Sequence, residues 1–428
     1  MGVVRGWYHE VSQALEQAAT MLRLRLDVTA LDRGSPAREE GSVVLADILS
    51  RQAYLHHLLG LPERAMGSCR ESLALLQDVE HGAKRDSVYI YAKLMLGQLL
   101  RASGDSTQCE QLFREALAHA EEAGDPWGRE DALFWLGNQA RNEGRYSEAE
   151  RFLRQGIAIA DETGEQWVKA AYLENLSYVL CAEGEYERAE ILAQESLQIR
   201  QEIGDRRNSG YSFVRLGEIA TALGRYELAG RYFQRSLGIA KEIGDAYIEA
   251  EALNGQGTLA LALGDHAETK RLFAETLSIA REGRHAGYYA DALTGLGRAA
   301  LGLGEVQQAR ERFRQGLEAA MKAARLPTAV RALVGLAHLW SQEAELEGAV
   351  EWLALVLHHP ATCQIERDRA QHLLSELTRE LPPEVFTAAV TRGQARELEE
   401  VAAEIVGRNV NTSATGGRDQ PLTTATVY

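Results

Sequence analysis

The sequence says nearly the same thing every forty residues. "NEGRYSEAERFLRQGIAIADETGE" at 142–165 is followed by "AEGEYERAEILAQESLQIRQEIGD" at 182–205, "ALGRYELAGRYFQRSLGIAKEIGD" at 222–245 and "ALGDHAETKRLFAETLSIAREGRH" at 262–285. A single glycine marks the frame: Gly104, Gly144, Gly184, Gly224, Gly264 and Gly304 stand 40 apart, Ala344 fills the next slot, and Gly60 precedes the first by 44. That gives eight units. A period of this length excludes most compact folds. Each unit is too small to bury its own apolar face and must do so against its neighbours, which is the logic of a solenoid.

Within one unit, residues 128–163, apolar side chains fall at three- and four-residue steps on both sides of Gly144, so the spacing predicts two helices joined by a turn. The first helix repeats a large–small pair: Leu96–Gly97, Leu136–Gly137, Leu216–Gly217 and Leu296–Gly297. Glycine inside a helix costs about 1 kcal/mol relative to alanine, so its return at one place implies close helix packing there. On the second helix Tyr146, Ala149, Leu153 and Ile157, then Tyr226, Ala229, Phe233 and Leu237, trace one face. Gly124, Gly164, Gly204 and Gly244 suit left-handed caps, and Asp125, Asp205 and Asp245 directly after them suit the start of the next helix.

Composition supports a helical chain. Of 428 residues, 45% are hydrophobic and 25% charged, and there are only 8 prolines. Cys69, Cys109, Cys181 and Cys363 stand singly, forming neither a disulfide framework nor a CxxC site, as in a reducing cytoplasm. The start "MGVVRGWYHEV" has no secretory apolar core, and no stretch reaches membrane-span length. A net charge of −16 works against generic attraction to nucleic acid or anionic lipid, so neither is expected as a direct partner.

The L-G pair followed by G-x-Y-x2-A-x3-F resembles the tetratricopeptide repeat, best over residues 83–357. It departs from that family in its 40-residue period, against 34, and in lacking the closing proline. The resemblance implies an all-α fold, an α–α right-handed superhelix of about eight helix-turn-helix units. The "LxIAxExGD" endings, "VRGWYHEVSQALEQAATML" at 4–22 and "FTAAVTRGQARELEEVAAEIV" at 386–406 look like the carboxy-terminal arm of bacterial signal-transduction ATPases and related transcriptional regulators. In that family the arm senses a ligand or docks a partner beside a nucleotide switch; here no ATPase sequence accompanies it, and residues 5–25 read as the second helix of a unit whose first helix lies before Met1.

The expected division is a solenoid over 1–380, capping helices over 381–407 and a disordered tail over 408–428 rich in Thr, Asn and Gly. Three further helices are expected within 365–380 and 383–406, and "LDRGSPAREEG" at 31–41 reads as a short interruption.

No catalytic signature is present. There is no G-x4-G-K-[ST] loop, no H-E-x-x-H and no G-x-S-x-G. The G-x-G pairs Gly255/Gly257, Gly295/Gly297 and Gly302/Gly304 lack the third glycine and a preceding strand, so they read as packing and turn glycines. His56/His57 and His358/His359 are adjacent on a helix, point about 100° apart and have no partner pair at i+4. The expectation is therefore a non-enzyme without cofactor or metal.

In the resembled superhelix the first helices line the concave groove, which places the partner-binding residues at outward positions flanking the L-G pair. These are Tyr91, Gln98, Phe134, Asn138, Arg141, Glu174, Tyr178, Tyr211, Glu218, Asn254, Thr258 and Arg298. Aromatics mixed with arginine and asparagine suit an extended peptide or a small polar ligand. The lysine–asparagine carboxylate clamp of peptide-end-binding relatives is not reproduced. Two readings follow: an interaction scaffold for a partner protein or peptide, and a sensing arm of a nucleotide-switch regulator whose effector, ATPase or DNA-binding module is supplied separately.

Overall fold

The structure, a computed structural model, describes residues 2–28, 35–103, 106–283 and 286–412. Among the described residues there are twenty helices and no strand. The chain forms two compact units, Met1–Ile219 and Ala220–Tyr428.

The first unit runs α1 (Gly2–Val28), α2 (Pro36–Leu58), α3 (Pro62–Leu75), α4 (Ala83–Ser103), α5 (Ser106–Ala123), α6 (Pro126–Asn142), α7 (Tyr146–Thr163), α8 (Gln166–Glu183), α9 (Tyr186–Glu202) and α10 (Arg206–Ala222), in which the boundary falls. The second holds α11 (Tyr226–Ile243), α12 (Ala246–Ala262), α13 (His266–Gly283), α14 (Ala286–Gly302), α15 (Val306–Lys322), α16 (Leu326–Gln342), α17 (Leu346–His358), α18 (Gln364–Leu377), α19 (Pro383–Gln394) and α20 (Leu398–Thr412). The first helix of each repeat also touches the first helix of the next: α2–α4–α6–α8 in one unit, α12–α14–α16–α18 in the other. First helices thus form a layer in each unit.

The punctuation works as the sequence predicts. Gly144, Gly184, Gly224, Gly264 and Gly304 take φ of 73°, 87°, 72°, 75° and 74°, the left-handed turn between paired helices; Gly104 lies outside the described residues. At the other junctions Gly124, Gly164, Gly204 and Gly244 are left-handed too. Asp125 Oδ1 accepts from the Trp127 and Gly128 amides, and Asp245 Oδ1 from those of Tyr247 and Ile248, satisfying donors the new helix leaves open. Stop and start signals are adjacent in space as in sequence.

The large–small pair has a direct structural cause in the second unit. A methyl at Gly257 would stand 2.9 Å from the Phe273 ring, and one at Gly295, in the next first helix, 2.5 Å from the same ring. Phe313 repeats this: a methyl at Gly297 would meet it at 2.7 Å, and Gly335 closes its far side. Each phenylalanine of a second helix fills a slot between two first helices. Phe273 is 3% exposed and Phe313 fully buried, so the slots are dry and tight.

Two terminal regions show how sequence pattern and packing combine. Residues 31–34 of the expected interruption lie outside the described residues, but Pro36–Gly41 belong to α2 rather than to a loop. Proline pre-sets the first turn, and Gly41 lets Leu26 approach to 2.8 Å from where a Cβ would sit. At the other end α18, α19 and α20 are the three expected helices. α19 lies on α17, where Gly393 admits the Glu351 carbonyl and Arg392 pairs with Glu351 at 2.6 Å and Glu347 at 2.9 Å. Leu398, Val401 and Ile405 of α20 join a core running from Phe313 through Leu333 and Trp352. Beyond Thr412 the expected tail lies outside the described residues.

Candidate functional site

All twelve sequence-predicted positions fall on first helices: Tyr91 and Gln98 on α4, Phe134, Asn138 and Arg141 on α6, Glu174 and Tyr178 on α8, Tyr211 and Glu218 on α10, Asn254 and Thr258 on α12, and Arg298 on α14. The forty-residue period dictates this, since equivalent positions on the stacked first helices of each unit must share a face of that unit. The side chains on that face play different parts.

In the first unit three successive first helices build a stack around Tyr178. The Arg141 guanidinium lies 4.8 Å from the Tyr178 ring centroid and the Arg215 guanidinium 4.6 Å from it. A π face attracts a cation, and two cations on one ring hold it rigidly. Arg141 also donates to Asn175 Oδ1 at 2.6 Å, while Arg215 pairs with Glu218. Tyr178 remains half-buried, so part of its ring stays open beside the two guanidiniums. Tyr211, with Arg207 at 5.6 Å from its ring, continues this surface along α10.

Other positions serve the fold first. Glu174 is engaged by Arg200 of α9, whose guanidinium also donates to the Asn208 carbonyl at 2.7 Å and Ser212 Oγ at 2.8 Å. This carboxylate clips one repeat to the next. Asn138 is 8% exposed and its amide donates back to the Phe134 carbonyl at 2.9 Å. Phe134 packs edge-on to the buried Tyr172 at 5.6 Å. Tyr91 is open, 37% exposed, and Gln98 is partly buried.

In the second unit Thr258 is exposed and donates to the Asn254 carbonyl at 3.1 Å. The side-chain oxygen of Asn254 is buried and has no hydrogen-bond partner among the described residues. Arg298 faces a cavity of about 390 Å³ whose walls include Arg331 of α16 and Arg369 of α18. Glu366, 3% exposed, stands among them, 2.6 Å from Arg369 and 3.5 Å from Arg331. Burial, reinforced by the charge of Arg369, pushes the Arg298 guanidinium down to about 9 despite the opposing pull of Glu366.

Sequence reasoning missed two features. Trp127, Trp167 and Tyr247 are 54%, 55% and 46% exposed at matching positions just after the start of α6, α8 and α12. Their forty-residue multiples were there to be read, but they sit outside the L-G frame. The other is a cluster of His81, Asp86 and His119 whose ligand-capable atoms lie within 4.8 Å of one another. Arg85 Nη1 stands 2.9 Å from Asp86 Oδ1 and 3.3 Å from His119 Nε2, so the carboxylate already has a cation beside it. The group functions as an ion cluster tying α4 to α5.

Residues 168–242, 209–282 and 248–322 match the tetratricopeptide repeat as a family. No curated protein sequence matches significantly. Among solved structures, a Rap protein complexed with competence and sporulation factor aligns with TM-score 0.60 at 16% identity, covering 85% of this chain and 99% of its own. NprR in complex with its cognate peptide NprX aligns with TM-score 0.56 at 15% identity, over 81% of this chain and 100% of that one. Aspartyl phosphate phosphatase F from Bacillus subtilis aligns with TM-score 0.52 at 12% identity, over 85% and 94%. At such identities the likeness establishes fold, and with the repeat match it shows that this chain carries tetratricopeptide repeats and folds as an all-α helical-repeat solenoid of that type.

Proposed function

We propose that this protein is a non-catalytic binding scaffold whose layer of first helices in the first unit takes an extended peptide segment of a partner. The observation that carries this is the Arg141–Tyr178–Arg215 stack, three side chains from the first helices of three successive repeats fixing one another on the face where the repeat leaves sequence free to vary. Aromatic and arginine anchors held in advance are what peptide recognition needs, because less side-chain entropy is lost on binding. Two proteins of similar fold were solved with a factor or cognate peptide bound. The absence of catalytic motifs from the sequence agrees with recognition rather than turnover.

The test is selection of phage-displayed peptides on the full-length chain, followed by fluorescence anisotropy with the enriched sequences. Tyr178→Ala is expected to weaken binding about tenfold or more, the scale of an interface anchor. Tyr226→Ala, on a second helix and 37% exposed, is expected to leave it unchanged. Peptides that bind both variants alike, or no enrichment at all, would sink the proposal.

A further inference from the structure

We infer that the cavity walled by α14, α16 and α18 is a binding site for a small organic anion, carrying about two negative charges beside an apolar body. Three arginines, Arg298, Arg331 and Arg369, face one carboxylate, Glu366, in a space of about 390 Å³. Two further carboxylates lie nearby: Glu376 stands 3.5 Å from His372, which lines the cavity, and Asp291 is the other. Asp291 lies 3.7 Å from Arg331, but it is nearer to Arg325, at 3.0 Å. Three arginines around one buried carboxylate are notable in a chain whose net charge is −16.

Arg298 is the decisive member. Among the described residues it makes no ion pair or hydrogen bond, whereas Glu366 is already shared by Arg331 and Arg369. Arg298 is half-buried, and Glu366, the carboxylate beside it, is already engaged by the other two arginines, so its guanidinium keeps its hydrogen-bond donors open toward the cavity. A bound dianion would supply the missing acceptors, since arginine forks match carboxylate and phosphate oxygens. Leu261, Leu301, Val334 and Leu373 give the wall an aliphatic part, so the anion is expected on an apolar stem, and His338 and His372 line the cavity beside the arginines. The volume suits one side chain or one small metabolite.

This names a ligand chemistry for the second unit, and it extends the proposed scaffold reading without depending on the Tyr178 face. Phenyl phosphate and phenylsuccinate are the probes, titrated into the full-length protein at ionic strength held constant with chloride, with calorimetry and thermal melting as readouts. Saturable one-to-one binding is expected, with a melting rise of about 2 °C or more at 10 mM. Response to phenyl phosphate alone identifies a phosphorylated ligand and response to phenylsuccinate alone a dicarboxylate; each supports the site.

Arg298→Met is expected to cut affinity at least about tenfold while melting no lower than the parent, because it removes an unpaired cation from a crowded cluster. Arg298→Lys, which keeps the charge and loses the fork, is expected to bind several-fold more weakly. No response from the parent, or a parent-like response from Arg298→Met and Arg298→Lys, overturns the inference. Tyr178→Ala separates the two readings: it is expected to keep the anion response in full while losing peptide, so either site can fail without the other.

Discussion

Glu130 is a buried acid without a partner. It is 3% exposed, and its Oε1 has no hydrogen-bond donor among the described residues. Burial first, then the Asp131 and Glu165 carboxylates, push its carboxyl up to about 7. The folded state therefore holds a proton that the unfolded chain has already released near its ordinary value of 4.5, so this residue favours folding at low pH. Its contribution is lost as pH rises through 7. Glu130→Gln is accordingly expected to stabilise the protein by about 2 kcal/mol at pH 8 and to change little at pH 4, measured by urea denaturation at both. Equal effects at the two pH values would mean that the carboxyl is ionised in the fold throughout. Glu174, an acid of the same layer, is answered by Arg200, so the fold accommodates a carboxylate there because a cation is supplied.

At the scale of the element, the turn between paired helices was legible because one conformation is demanded every forty residues. Ala344 meets that demand with φ of 64°, and at the junction between repeats Ala324 takes 49°, where an L side chain is strained. Ala344→Gly is therefore expected to stabilise by about 0.5–1 kcal/mol, the relief of strain outweighing the freedom glycine adds to the unfolded chain. Gly264→Ala, at φ 75°, is expected to cost about as much in the other direction, and thermal melting of both checks the pair. The helix interiors were legible only in part. The glycine of each L-G pair announces close packing, but the reason for Gly255 and Gly295 lies in the phenylalanine of the preceding repeat, a contact that no single repeat contains. The arginine cavity was hidden for the same reason: Arg298, Arg331 and Arg369 come from three helices, and although Arg298 and Arg331 both stand at register positions that flank the L-G pair, Arg369 lies past the recognisable repeats and nothing in the frame brings the three together.

At the scale of the whole molecule, the repeat sets how damage spreads. Stability in a stacked array is a sum of repeat and nearest-neighbour terms, so a lesion in one slot should loosen the helices that share it and little else. Phe273 is the sharpest place to ask. Its ring is held between Gly257 on α12 and Gly295 on α14, so Phe273→Ala empties both interfaces at once and is expected to cost about 3–5 kcal/mol. Native-state hydrogen exchange should then rise in α12, α13 and α14 and stay at the parent's level in α4 to α7, three repeats away or more. An increase of equal size in every helix would show that the array opens only as one cooperative body. Local opening instead would let the lining of one repeat change without unsettling the rest, which is the condition for a face like that around Tyr178 to specialise while the phenylalanine slots stay as they are.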